Sequence, residues 1–170
     1  MNELTSILPS AVVLGTFAVV ALFLTLSRTW AQEDKGHTRR AVQIAAVAVV
    51  LQGTHFAEEL LAGLHVRLPA LFGLDQMPLG FFVSFNVAWL AIWSVSVWGL
   101  WARHRVALFP LWFLVVGCIT NGIAHPSLSV LVGGYFPGLL TSSVVGVVGV
   151  VLLRRLLQVT QAVESRTRAV

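Results

Sequence analysis

The residues best suited to chemistry form two short polar motifs in an apolar sequence. The first is His55-Phe-Ala-Glu58-Glu59, and the second is Asn121-Gly-Ile-Ala-His125. In a membrane-spanning helix an ionisable side chain costs ~2.5 to 3.5 kcal/mol at the centre on the insertion scale, so each one needs a reason. At 100° per residue, His55 and Glu59 stack one turn apart, as do Asn121 and His125. Each motif therefore predicts one polar stripe on a helix.

These residue types are ligands of divalent metals. Neutral imidazole and carboxylate bind zinc, non-haem iron and manganese, and two histidines with one or two glutamates leave positions open for water or substrate. A metal would also offset the repulsion between two adjacent buried acids. We expect a divalent metal, zinc ahead of iron or manganese, at His55, Glu59 and His125. Both acids are candidate catalytic residues, with Glu59 as ligand and Glu58 as general base or ligand-orienting acceptor, or with these two roles exchanged.

The composition is that of a membrane protein. Of 170 residues, 57% are apolar and 11% are charged, and the mean hydropathy is +0.86, whereas a soluble domain carries roughly a quarter charged residues. About 20 apolar residues make one span, so the sequence predicts five transmembrane helices, at residues 7–27, 41–64, 80–102, 107–131 and 138–157. The expected fold is an all-α, polytopic membrane helix bundle, a single membrane-embedded domain over residues 1–170.

Basic residues predict the orientation of this bundle. Ten of the eleven lie in the loop after the first helix, in the loop after the third helix or in the C-terminal tail, and Arg67 alone lies on the other side. Under the positive-inside rule, the N-terminus is outside and the C-terminus inside. We expect a multi-pass protein of the cell membrane.

The two polar motifs are predicted to lie at the same depth. Counted from residues 41 and 107, His55 and Asn121 are both 14 residues along their helices, and Glu59 and His125 are both 18 residues along. At 1.5 Å per residue they lie ~21 to 27 Å from the cytoplasmic side of a ~30 Å core. Asn86, ~9 Å from the outer end of the third helix, reaches the same layer. The motifs are thus expected to form one site in the outer half of the bilayer, supported by both asparagines.

The connections on the outer side are predicted to be irregular. Residues 65–79 contain two prolines and a glycine, which indicates an irregular or half-helical segment. Tyr135 precedes a Pro-Gly turn where the fifth helix begins. It is a candidate supporting residue that could cap the site, and an ordinary interfacial tyrosine is the alternative interpretation. The fifth helix is rich in valine and glycine, which indicates close packing and a scaffold role.

Three motifs together resemble a known family. His55-x-x-Glu58-Glu59, Asn121-x-x-x-His125 and Tyr135-x-Pro-Gly, in this order on a short hydrophobic chain, resemble the HXXEE family of small integral membrane proteins. The resemblance implies a shared polar site and leaves the reaction to be inferred from the residues.

The residues favour a metal-dependent enzyme of hydrolase type. A carboxylate would act as general base toward a water activated by the metal, on a lipidic or amphipathic substrate. Three alternatives remain: an isomerase or cyclase that holds a protonated glutamate and needs no metal, a small transporter or proton relay, and a structural partner subunit. The expected partners are membrane lipid and an apolar or amphipathic small molecule, without nucleic acid; the sequence leaves the oligomeric state open.

The predicted orientation can be tested by cysteine accessibility in intact cells. Single cysteines placed near Ser6 and Ser165 should react with impermeant reagents from opposite sides of the membrane, because five spans put the two termini on different sides. Reaction of both from the same side would contradict the five-span topology and the depth match derived from it.

Overall fold

A computed structural model describes residues 3–32 and 34–163. This part of the chain forms six α-helices, one 3-10 turn (Arg105–Ala107) and two short strands, β1 and β2. The elements are α1 (Glu3–Ser27), β1 (Arg28–Trp30), α2 (Lys35–Leu61), α3 (Leu64–Ala70), α4 (Leu79–Trp101), α5 (Leu108–Leu131), α6 (Leu139–Val159) and β2 (Thr160–Ala162). All the helices except α3 are long and apolar enough to cross a membrane. The predicted five-span helical bundle is confirmed, and its orientation stays a prediction.

Helix α2 differs from the predicted segment 41–64 at both ends. It begins early because Asp34 caps it, accepting hydrogen bonds from the backbone N–H groups of Gly36 at 2.8 Å and His37 at 3.0 Å. The bond from the His37 backbone is the main cause that lowers the pKa of Asp34. The helix ends before Gly63, whose φ of 74° is left-handed and suits glycine. Helix α3 follows, as the half-helical prediction requires.

Helix α6 is the element around which the others pack. It makes the most extensive contacts of the bundle with α5 and also packs along α2, whereas α2 and α5 touch each other only slightly. The contact with α5 is backbone to backbone, because a Cβ on Gly122 would lie 2.7 Å from the Cα of Gly146. A shared site would be simplest if the two polar helices were direct neighbours, but they touch each other only slightly and α6 packs against both. Helix α6 therefore does more than the predicted scaffold role, because it also joins the two helices that carry the polar motifs.

The strands close the end of the bundle opposite the polar motifs. Strands β1 and β2 pair antiparallel, with Arg28 opposite Ala162. The guanidinium of Arg28 donates to Thr160 Oγ1 at 2.8 Å, and that of Arg103 donates to the Ala31 carbonyl at 2.5 Å. These bonds join the ends of α1, α4 and α6. The sequence did not predict them, since three-residue strands leave no periodic pattern.

Candidate metal centre

Three buried side chains from α2 and α5 converge at the ends of these helices near α3. The Nε2 atoms of His55 and His125 each lie 3.2 Å from Glu59 Oε1. The two imidazole rings are nearly perpendicular, with centroids 4.8 Å apart. Side-chain exposure is 9% or less for all three. One ligand atom from each residue lies within 4.8 Å of the others, which is close enough to hold a metal ion.

The proton position on His125 follows from its neighbour. Its Nδ1 lies 2.5 Å from the carbonyl oxygen of Pro137. A carbonyl oxygen only accepts hydrogen bonds, so Nδ1 carries the proton. In the neutral ring, Nε2 therefore presents a lone pair toward Glu59.

His55 has the same tautomer for a different reason. Its Nδ1 lies 2.7 Å from Thr141 Oγ1, and this hydroxyl donates to Glu58 Oε2 at 2.6 Å. A hydroxyl has one hydrogen to donate, so Thr141 accepts from His55 and Nδ1 carries the proton. The Nε2 lone pair of the neutral ring again faces Glu59. Within the described residues this buried Nε2 has no assigned hydrogen-bond partner, and Glu59 Oε1 lies 3.2 Å from it.

The three facing atoms fit a bound cation. Two imidazole lone pairs and a carboxylate oxygen are all electron-pair donors, and without an ion each imidazole would need a proton of its own on Nε2. A metal ion would serve all three. Histidines that bind metals usually donate their other ring N–H to a carbonyl, a carboxylate or another oxygen, as His55 and His125 do here. The donor set of two imidazoles and one carboxylate suits zinc and also non-haem iron.

Glu58, on α2, lies apart from this cluster, and its carboxylate contacts the first residues of α6. It accepts four hydrogen bonds: from the Tyr135 hydroxyl at 2.9 Å, the Leu140 N–H at 3.0 Å, the Thr141 N–H at 2.9 Å and the Thr141 hydroxyl. The first N–H groups of a helix have no partner within the helix, and a carboxylate there is favourable. Glu58 thus caps α6. It is also linked to His55 through the Thr141 hydroxyl, and this link fixes the orientation of the His55 ring.

Tyr135 holds Glu58 and does not line the cavity beside Glu59. Its backbone carbonyl accepts from the Arg67 guanidinium at 2.9 Å. Partial burial, followed by the hydrogen bond to Glu58, raises the pKa of the Tyr135 hydroxyl. The expectation that this tyrosine covers the site is therefore corrected: it braces the helix that supplies Thr141.

A cavity of about 450 Å³ adjoins the cluster, with Glu59 and His125 in its wall. Ligand pockets span roughly 300–1,000 Å³. Asn86 and Asn121 line the same cavity, as predicted from their depth. The Asn86 amide donates to the Phe82 carbonyl at 2.8 Å, whereas no hydrogen bond joins the Asn121 side chain to the described part of the chain.

Sequence reasoning assigned no role at the site to Gly138 or Thr141. Gly138 has a φ of 89°, and a Cβ there would lie 2.5 Å from His125 Nδ1 and 2.9 Å from His55 Cε1. The Pro-Gly turn was the one available signal for it. Thr141 carried no signal, because a threonine in the first turn of a helix is an ordinary residue.

Compared with known proteins, the chain matches no family model, no curated protein and no solved structure. The resemblance to the HXXEE family stays a prediction, and the function has to be inferred from the site.

Substitution of Gly138 should damage the site more than its backbone conformation alone explains. Gly133 is a matched control, since its φ is 67° and a Cβ there would meet nothing within 4 Å. Both Gly→Ala changes cost about 1–2 kcal/mol for a left-handed residue, and Gly138→Ala adds about 1–3 kcal/mol of overpacking against the imidazoles. Chemical unfolding of both variants measures this difference, and equal losses would contradict the packing described here.

Proposed function

We propose that this protein is a metal-dependent enzyme of hydrolase type, embedded in the cell membrane, that acts on a lipidic or amphipathic substrate. One observation carries the proposal: two imidazoles with oxygen-bonded Nδ1 atoms direct Nε2 at the same carboxylate oxygen, 3.2 Å away, beside a cavity. Zinc is the favoured ion, with iron or manganese as alternatives. The proposed ligands are His55, Glu59 and His125.

The ligand number supports a catalytic role over a structural one. Structural zinc sites are closed by four protein ligands, whereas catalytic sites use three and keep a position open. The cluster offers three ligands next to a cavity. A divalent ion at such a site supplies a Lewis acid and lowers the pKa of water.

The protein's own residues divide the remaining tasks. Among the described residues, Glu59 is the one acid that lines the cavity, so it is placed to accept a proton from water as well as to bind the ion. Glu58 positions His55 through Thr141 and is not itself in contact with the cavity. Asn121, one turn from His125 and free of protein hydrogen bonds in the described chain, is available to bind a polar group of the substrate.

The lining of the cavity supports a lipidic or amphipathic substrate. It lies between membrane-spanning helices and is lined mainly by aromatic and aliphatic side chains from α1, α4 and α5. Water-soluble substrates would have to leave water for an apolar wall, whereas a lipid already shares that environment. Hydrolysis near one end of a lipid is the reaction class that best suits a polar cluster at one end of an apolar cavity.

An acid/base enzyme without metal is the second candidate function. Glu59 is buried at the edge of an apolar cavity with two imidazoles beside it, and a carboxyl group that exchanges a proton with a neighbouring histidine can act as an acid or a base toward an apolar substrate. This candidate predicts no bound ion, so metal analysis separates it from the first.

Metal content per chain should distinguish the two adjacent acids. Wild-type protein, purified without chelator and challenged in turn with zinc, iron and manganese, should bind one ion per chain. Glu59→Gln should lose stoichiometric metal because it removes a ligand. Glu58→Gln is the matched control: it should still bind metal at saturation, with an affinity reduced about 10- to 100-fold, as for partners that orient a ligand.

Absence of stoichiometric metal from the wild type under all three challenges would overturn the metal hypothesis. The acid/base enzyme would then be the leading candidate. Full metal binding by Glu59→Gln would instead show that the ligand set is wrong.

A further inference from the structure

The cavity beside the candidate metal centre is elongated, and its two ends differ in chemistry. One end holds Glu59, His125 and Asn121, and the other is lined by Trp93 and Phe113. Residues 113 and 125 are twelve apart on α5, which at 1.5 Å per residue separates the ends by about 18 Å. A polar head and a long apolar region of one molecule would therefore match the two ends.

One wall of the cavity is a ladder of aromatic rings on α4. Its members recur every fourth residue and so share one helix face: Phe81, Phe85, Trp89 and Trp93. Successive ring centroids are 6.0, 6.4 and 5.4 Å apart. Trp89 also stacks on Phe113, with centroids 4.2 Å apart and planes 7° apart. The ladder is continuous and apolar along its whole length.

The opposite wall comes from α1. Ser10, Val13, Leu14 and Phe17 share one face of this helix and line the cavity. Within the described residues α1 packs against α5 and has no comparable contact with α4. The cavity therefore lies between two helices that do not close against each other, and a molecule dissolved in the bilayer can reach it from the side.

We propose that this cavity binds a single extended hydrocarbon tail, whose polar head lies at the candidate metal centre. The head placement rests on the proposed function, whereas the tail site depends only on the shape and lining of the cavity. The polar cluster at one end and the aromatic ladder leading away from it over about 18 Å suit a linear chain with a polar head. Trp93 and Phe113 limit the length of the tail.

Gly117 offers a way to shorten the cavity without touching the metal centre. It lines the cavity eight residues before His125, which places it about 12 Å deeper. A Cβ at Gly117 would meet nothing within 4 Å, so a leucine there extends into open space. Gly15 on α1 is a matched control, since its Cβ would also meet nothing but the residue is exposed and does not line the cavity.

The experiment uses straight-chain fatty acids of increasing length with a photoreactive diazirine at the tail end, added to the purified full chain. After irradiation, mass spectrometry maps the labelled residues. In the wild type, the longest tails should label the region of Trp93 and Phe113, and excess unlabelled fatty acid should compete. Gly117→Leu should lower this deep labelling about tenfold, because the leucine side chain would occupy the space that the end of the tail fills.

The controls separate this inference from the metal hypothesis. Gly15→Leu should leave the labelling unchanged, and Gly117→Ala, a smaller change, should give an intermediate loss. The same labelling should occur in protein stripped of metal with a chelator, because the tail site needs no ion. Deep labelling without stoichiometric metal would thus support the tail site and overturn the metal site, and metal without deep labelling would do the reverse.

Three results would overturn the tail site. These are labels confined to lipid-facing residues of α6, equal deep labelling in Gly117→Leu and the wild type, and stronger competition by a fused-ring sterol than by a fatty acid of matched length.

Discussion

The approach of two imidazole Nε2 atoms to one oxygen of Glu59 is the interaction on which the rest of this structure depends. Three electron-pair donors buried together repel one another unless a metal ion or protons lie between them, and desolvation strengthens that repulsion. The surroundings impose the arrangement, because the Pro137 carbonyl and the Thr141 hydroxyl each accept a ring proton at Nδ1. Pro137 lies in the turn before α6, and Thr141 lies in the first turn of α6. The start of this helix therefore determines which imidazole atoms face the carboxylate.

The start of α6 is in turn held by Glu58. The neighbouring acids therefore have separate functions: Glu59 faces the imidazoles, and Glu58 satisfies the free N–H groups of the helix that orients them. Gly138 completes this arrangement, since only a residue without a side chain leaves room for both rings. Farther along α6, the close contact between Gly122 and Gly146 holds this helix against α5. A polar network of this kind is stable in a membrane only when its buried atoms are satisfied, and His55 Nε2 is left for a bound ion or a proton to satisfy.

Helical periodicity and the count of residues along each span predicted much of the site. The two counts placed Glu59 and His125 at one level, and the structure brings them to 3.2 Å. Periodicity gives the rotation of a residue about its own helix, but it does not tell which helices are neighbours. For this reason the sequence did not reveal that α6 lies against both α2 and α5, or that Thr141 links His55 to Glu58. For the same reason the sequence did not reveal what Tyr135 contacts. Its position before the Pro-Gly turn indicated that it lies near the site, but did not indicate on which side of α6 it lies.

X-ray absorption spectroscopy at the zinc edge, on zinc-loaded wild-type protein, tests the central claim most directly. The account predicts two imidazole ligands, with nitrogen and oxygen atoms about 2.0–2.2 Å from the ion and no sulfur. No sulfur ligand is expected because Cys118 is the one cysteine of the chain and its sulfur lies outside the cluster, 3.7 Å from Gln52 Oε1. A sulfur shell near 2.3 Å, or a spectrum without imidazole scattering, would contradict it.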